Sequence, residues 1–270
     1  MSRTVFITGA AGGIGGYVAN RLIQEGDRVF ATDVNPEGIE KLASERGWPK
    51  DQYMAAEHDV RNAEQWESVF GRAVETFGRI DICFNNAGVM FAGWAHEQPL
   101  NELDLQIDIN VKGVIYGSQV SARHMIKKGG GHIVNISSMA GIAAIPGIAV
   151  YTASKHAVRG FTLALSLELK PYGVATSVVC PHAVNTGLLT QTSQHEAGAM
   201  VFSGSRLLNI DEIGNAIVER VFKYRPLEFV MPFQWGMLAK AANAFPAMSG
   251  MLADSLRKKG RAQQQKWEHP

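Results

Sequence analysis

Tyr151 and Lys155 stand four residues apart in the stretch AVYTASKHAV, which has the composition of a helix. An i, i+4 spacing puts both side chains on one helix face, one turn apart. A phenol beside an ammonium is a candidate acid/base couple. A free tyrosine ionises near pH 10, so its phenolate is scarce at neutral pH. A fixed positive charge nearby favours the phenolate. Bringing the phenol to about pH 7 needs roughly 4 kcal/mol, at about 1.36 kcal/mol per pH unit. One lysine supplies part of that; a second cation, such as an oxidised nicotinamide ring, has to supply the rest.

These two residues need elements to hold them, and the chain alternates strands with amphipathic stretches. β-Branched and apolar runs predict strands at Thr4–Thr8, Arg28–Asp33, Tyr53–Ala56, Asp81–Asn85, His132–Ser137, Thr176–Cys180 and Glu228–Met231. The clearest helix between them puts Trp66, Val69, Phe70, Ala73, Val74 and Phe77 on one face, with Gly78 placed to end it. Alternation of this kind predicts an α/β fold: one doubly wound parallel sheet of about seven strands with helices on both faces. Ligands bind such sheets at the carboxyl ends of the strands. All 270 residues read as a single dinucleotide-binding domain, with a substrate loop at 186–208 and a C-terminal extension at 233–270.

The first strand runs into TGAAGGIG, where Gly9, Gly13 and Gly15 are spaced as TGxxxGxG. Glycines there allow a tight turn and close approach of a pyrophosphate, and the helix that follows points its N–H groups at the anion. Asp33, 18 residues after Gly15, ends the second strand. Its carboxylate suits the two ribose hydroxyls of an adenosine and repels a 2′-phosphate. Gly12 and Val34 bring no cation to offset that repulsion. NAD is therefore expected over NADP. Asp33 also has the position of a helix cap. Asp59, in EHDV, is placed to meet the adenine edge or simply to face water.

Four motifs now stand in order: TGAAGGIG, NNAG at Asn85–Gly88, ISS at Ile136–Ser138 and YTASK at Tyr151–Lys155. In this the chain resembles the short-chain dehydrogenase/reductase family from about Thr4 to Val230, and Asn110 in INVKG and Thr186 in PHAVNT extend the match. The resemblance implies that Tyr151 exchanges a proton with the substrate oxygen. It implies that Lys155 lowers the Tyr151 pKa and binds the nicotinamide ribose, and that Ser138, 13 residues before Tyr151, holds the substrate oxygen. Ser137 is the competing hydroxyl. Asn110 would hold a water linking Lys155 to solvent. The implied cofactor set is Gly9, Gly13, Ile14, Gly15, Asp33, Asp59, Val60, Asn86, Ala87, Gly88, Tyr151, Lys155, Pro181, Val184 and Thr186. The helices near Val111–Lys127 and Thr152–Leu169 are the family's usual interface, which implies a homodimer or homotetramer. One departure is His182, where the family usually has glycine after proline. A histidine at φ > 0 is costly, so His182 restricts the pocket, binds substrate or points away.

The expected function is hydride transfer between NAD and a secondary alcohol or ketone on a largely apolar body, such as a steroid, lipid-like or aromatic alcohol. Met90, Phe91, Trp94, Ile142, Ile145, Pro146, Leu188, Leu189, Met200 and Phe202 occupy the loops at the substrate end, where Arg206 is the nearest cation and His96 reads as a solvated loop residue. Two other readings stay open: an NADPH-dependent ketone or acyl reductase, and a dinucleotide-binding protein without turnover. A net charge of +1 gives no nucleic-acid footprint. Cys83 and Cys180 lie in apolar runs and read as thiols in a reducing, cytoplasmic setting. No secretory leader, membrane span or metal site is expected. The Met-, Phe- and Trp-rich C-terminal stretch covers the pocket or a subunit interface, touches a membrane surface, or is loosely ordered; the run Arg257, Lys258, Lys259 and Arg261 reads as a solvated tail or as the contact with such a surface.

Overall fold

The computed structural model describes residues 2–204 and 206–268. Seven strands form one sheet: β1 (Thr4–Thr8), β2 (Arg28–Asp33), β3 (Tyr53–Glu57), β4 (Ile82–Asn85), β5 (Gly131–Ile136), β6 (Val174–Pro181) and β7 (Glu228–Met231). Their order is β3-β2-β1-β4-β5-β6-β7, and every neighbouring pair is parallel. The predicted strands shift by no more than two residues at either end. The helices are α1 (Gly13–Gln24), α2 (Pro36–Arg46), α3 (Ala63–Phe77), α4 (Leu100–Ile107), α5 (Val114–Lys127), α6 (Ala149–Leu169), α7 (Gly187–Ser193), α8 (Ile210–Ala216), α9 (Phe222–Tyr224), α10 (Phe233–Ala244) and α11 (Pro246–Glu268).

The centre of the sheet is buried on both faces, so β1 and β4 carry consecutive apolar residues, Val5–Ile7 and Ile82–Phe84, rather than alternate ones. In β1, Val5 and Ile7 pack with Val18, Leu22 and Ile213 on one side. Phe6 packs with Trp66, Phe70 and Met125 on the other. Gly78 ends α3 at φ +78°, as its position predicts. Chain order reverses at β1, which has β2 on one side and β4 on the other. A crevice opens at the strand ends beside such a reversal.

Two features depart from the simple pattern. A π-helical turn, Asp108–Gly113, precedes α5 and carries Asn110. Such a turn shifts one backbone bond and leaves the apolar spacing nearly unchanged, so periodicity does not reveal it. Past β7, α10 and α11 leave the sheet; α11 packs on the 3₁₀ segment Glu196–Phe202. No described helix is long and apolar enough to cross a membrane.

Candidate active site

The turn after β1 is built from backbone. Gly9 and Gly13 adopt φ of +67° and +56°, a region that costs glycine nothing. A Cβ on Gly15 would collide with Gly9 O and Asn86 Nδ2. Asn86 Nδ2 donates to Thr8 O at 3.0 Å and to Gly9 O at 3.1 Å, while Thr8 Oγ1 accepts from the amides of Asn86 and Ala87. The NNAG segment is thus bolted to the glycine turn. The first turn of α1 carries no acidic side chain, and nothing covers Gly12. Free amides at a positive helix end fit a pyrophosphate. At the end of β2, Asp33 accepts from Ala11 N and Asn35 N, both at 3.1 Å. It therefore shapes the glycine turn as well as facing the crevice.

On the opposite wall α6 presents Tyr151 and Lys155, 8% and 3% exposed. Lys155 Nζ donates to Ile136 O at 3.0 Å, at the end of β5. Ser138 follows that strand; its Oγ accepts from Ala140 N at 3.1 Å and faces the Tyr151 phenol. Ser137 Oγ instead donates to Lys155 O at 2.8 Å, so it anchors α6 and is buried beneath the site. Between the two hydroxyls, Ser138 is the one that bonds the Tyr151 phenol and lines the site beside it.

The electrostatics differ from expectation. Burial pushes the Tyr151 phenol up to about 12, with the Ser138 hydroxyl opposing it. Burial also brings Lys155 down to about 8. Burial is the largest cause for both groups and favours their neutral forms, so the chain alone leaves the phenol protonated at neutral pH. The remaining cation has to come from outside the chain.

Asn110 is fully buried, and its side chain is spent. Oδ1 accepts from Val89 N at 2.9 Å, and Nδ2 donates to Val89 O at 2.9 Å and Ser154 Oγ at 3.1 Å. These side-chain bonds tie the segment after β4 to α6. A Cβ on Gly88 would sit 3.1 Å from Asn110 Oδ1 and 3.4 Å from Lys155 Nζ, so glycine is what fits there.

Asp59 and Val60 also differ from expectation, since neither lines the crevice. Arg61 takes the Asp59 carboxylate at 2.6 Å and holds its pKa below the usual range. Gln65 Oε1 accepts Asp59 N at 2.8 Å and pins that loop. The Val60 side chain is buried against Gly113, and its carbonyl accepts Trp66 Nε1 at 3.0 Å.

The crevice is one cavity of about 520 Å³ running from Gly9, Gly12, Gly13, Ile14 and Asp33 past Asn86, Ala87 and Gly88 to Tyr151 and Lys155. Pro181, Val184 and Thr186 line its far side. Beyond Tyr151 the walls are Met90, Met139, Ile145, Ile148, Leu188, Leu189, Met200 and Val201. Met139 and Ile148 were not singled out from sequence; they flank Ser138 and the start of α6, and that adjacency was the available signal. Phe91, Trp94, Ile142, Pro146 and Phe202 do not line the cavity. Arg206 is doubly bonded to Glu212, at 2.7 and 2.6 Å, and is no cation for a substrate. His96 is exposed, near Glu97. His182 lines the cavity with an ordinary backbone, since Arg225 is the one non-glycine at positive φ among the described residues. Its ring packs against Trp235 at 5.9 Å and fills the space a Cβ on Gly204 would need. Burial keeps it neutral.

The short chain dehydrogenase family model matches residues 3–197. The 2-(R)-hydroxypropyl-CoM dehydrogenase of Xanthobacter autotrophicus is 35% identical over 191 residues, 69% of this chain and 76% of that protein. The diacetyl reductase ((S)-acetoin forming) of Staphylococcus epidermidis is 36% identical over 190 residues, 69% of this chain and 73% of that protein. A Brucella melitensis 3-ketoacyl-(acyl-carrier-protein) reductase solved with NADH superposes with a TM-score of 0.76 at 27% identity, covering 85% of this chain and 96% of that one. A Burkholderia phymatum short chain dehydrogenase/reductase solved with NAD shares the fold, with a TM-score of 0.80 at 24% identity, covering 92% and 95%. With the motifs, the crevice and these likenesses in agreement, the chain belongs to the short-chain dehydrogenase/reductase family of oxidoreductases.

Proposed function

We propose that this chain interconverts a neutral secondary alcohol and its ketone with NAD, using Tyr151 as the proton-exchanging group. One observation carries the reading: among the described residues, the ionisable side chains lining the cavity are Asp33, Tyr151, Lys155 and His182, and everything else beyond Tyr151 is apolar or a small hydroxyl. Such a chamber holds a ketone without a cation for an acid group.

When bound, the dinucleotide supplies or accepts the hydride. The glycine turn, Asp33, Asn86–Gly88, Lys155, Val184 and Thr186 would hold it. In reduction the Tyr151 hydroxyl gives its proton to the carbonyl oxygen as negative charge builds there. In oxidation the same oxygen takes the proton from the alcohol. Ser138 donates a hydrogen bond to the reacting oxygen, and its position at the end of β5 fixes that contact. Lys155 holds a positive charge beneath the phenol and favours its ionised form. Asp33 supports NAD over NADP, because a carboxylate at that place repels a 2′-phosphate. The relative named as a diacetyl reductase supports a neutral ketone.

Cys83 and Cys180 are buried free thiols, which suits a cytoplasmic setting. Assembly through α5 and α6 as a dimer or tetramer completes the reading; Leu167, on α6, is 73% exposed and gives such an interface an apolar contact. The test is a panel of neutral and carboxylated ketones with NADH and NADPH. Turnover of neutral ketones with NADH is expected. Preference for carboxylated substrates or NADPH would overturn the assignment.

A further inference from the structure

The C-terminal helix α11 lies on the substrate side of the molecule, where it meets the segment Glu196–Phe202. Gln264, 5% exposed, donates from Nε2 to Ser193 O at 2.5 Å and His195 O at 3.1 Å. Arg261 and Arg257 both pair with Glu196, Arg257 at 3.5 Å. The Arg257 guanidinium also stands 4.6 Å over the ring of Trp94, in the loop after β4. A Cβ on Gly260 would collide with Ala199 O, so α11 rests directly on that backbone. From the other side, a Cβ on Gly147 would collide with Ala197 O. Residues 196–202 are therefore held between α11 and the turn that leads into α6 and Tyr151.

That segment needs support. It is seven residues of 3₁₀ helix, and such runs are rarely longer than three or four residues because their hydrogen bonds are poorly aligned. It also supplies Met200 and Val201 to the cavity wall. The family match ends at residue 197, so α11 and the Met200–Val201 wall lie outside what the family model covers, while the groups that α11 holds at 193–196 lie within it.

We propose that α11 sets substrate size: Gln264, Arg257 and Arg261 are positioning residues that fix the Met200–Val201 wall and restrict the chamber to compact ketones. This rests on the reading of the cavity as the substrate chamber. Gln264 acts through Ser193 and His195. Its loss takes the Gln264 donor from Ser193 O, leaves His195 O with Gly198 N alone, and frees the wall. Arg257 ties the same wall to the loop after β4, so both substrate loops move together or not at all.

The test uses the full chain with Gln264→Ala and, separately, Arg261→Ala and Arg261→Lys. Backbone hydrogen exchange over residues 193–202 is read first, because it does not depend on turnover. Gln264→Ala and Arg261→Ala should raise exchange there about tenfold, with exchange in the central strands unchanged, and Arg261→Lys should restore most of the protection. NADH affinity should stay the same. The KM for a compact ketone such as acetoin should rise while that for a bulky steroid ketone falls. Unchanged exchange over 193–202 overturns the clamp, whatever the activity. Raised exchange with unchanged KM for both ketones overturns the size-setting role. Should the wild-type chain turn over no ketone while exchange rises, the proposed reaction fails and the size-setting role fails with it, but the physical clamp remains.

Discussion

Lys155 Nζ stands 5.6 Å from the centre of the Tyr151 ring and donates to Ile136 O at 3.0 Å rather than to the phenol. The lysine is aimed at the site, yet the phenol is held up at about 12. The proposed oxidation would need a cation from outside the chain, such as an oxidised nicotinamide, to bring it down.

The first prediction follows. In the protein without dinucleotide, Tyr151 gives no tyrosinate absorbance below about pH 10. Saturating NAD should move its ionisation down by at least two units, equivalent to about 3 kcal/mol. The difference spectrum between wild-type protein and Tyr151→Phe isolates this group. An ionisation that stays at the same pH with NAD bound contradicts the proposed activation.

Asp33 has two tasks, and its removal should show both. Asp33→Ser loses the acceptor for Ala11 N and Asn35 N. The loss of charge-assisted bonds should cost about 1–2 kcal/mol of stability, seen as a lower melting temperature. NAD affinity should fall about tenfold while NADP affinity rises, since the repelling carboxylate is gone. Equal losses for both cofactors would show that the turn, and not charge, governs the choice.

His58 predicts acid sensitivity. It is 1% exposed, its Nδ1 lies 3.2 Å from Thr32 Oγ1, and its Nε2 has no partner. Burial lowers its pKa from 6.5 to about 4. The unfolded chain takes up this proton below about pH 6.5, the folded chain only below about pH 4. Stability from this group is therefore full above pH 6.5 and is lost as pH falls through that window, by about 3 kcal/mol. His132, lowered to about 3 by burial, adds to the same trend. Urea unfolding at pH 7 and pH 4.5 measures it, and His58→Gln should flatten the dependence. An equally steep loss in that variant assigns the sensitivity elsewhere.

Much of this was legible before any coordinates. The central strands are readable because a sheet covered on both faces favours apolar runs, as at Val5–Ile7 in β1 and Ile82–Phe84 in β4. Gly9, Gly13, Asp33 and Tyr151 were readable because each sits at a fixed offset from a strand end or helix turn. The pairing of Asp59 with Arg61, two residues on, is not legible because spacing does not say which partner wins. The side-chain partners of Asn110, Val89 and Ser154, are not legible because they lie 21 and 44 residues away. The C-terminal stretch reads as a cover for the pocket from its composition, but the bond that holds it is not legible, because Gln264 and Ser193 are 71 residues apart. The fall of Lys155 to about 8 reflects burial, which depends on every element packed around α6.

The most direct measurement is NADH oxidation with a neutral ketone by wild-type protein and Tyr151→Phe, with NADH fluorescence titrated in parallel. The account predicts turnover by the wild type, a loss of about 10²–10⁴-fold in kcat for Tyr151→Phe, and the same NADH affinity in both. Equal turnover by the two proteins, with NADH bound alike, would contradict it.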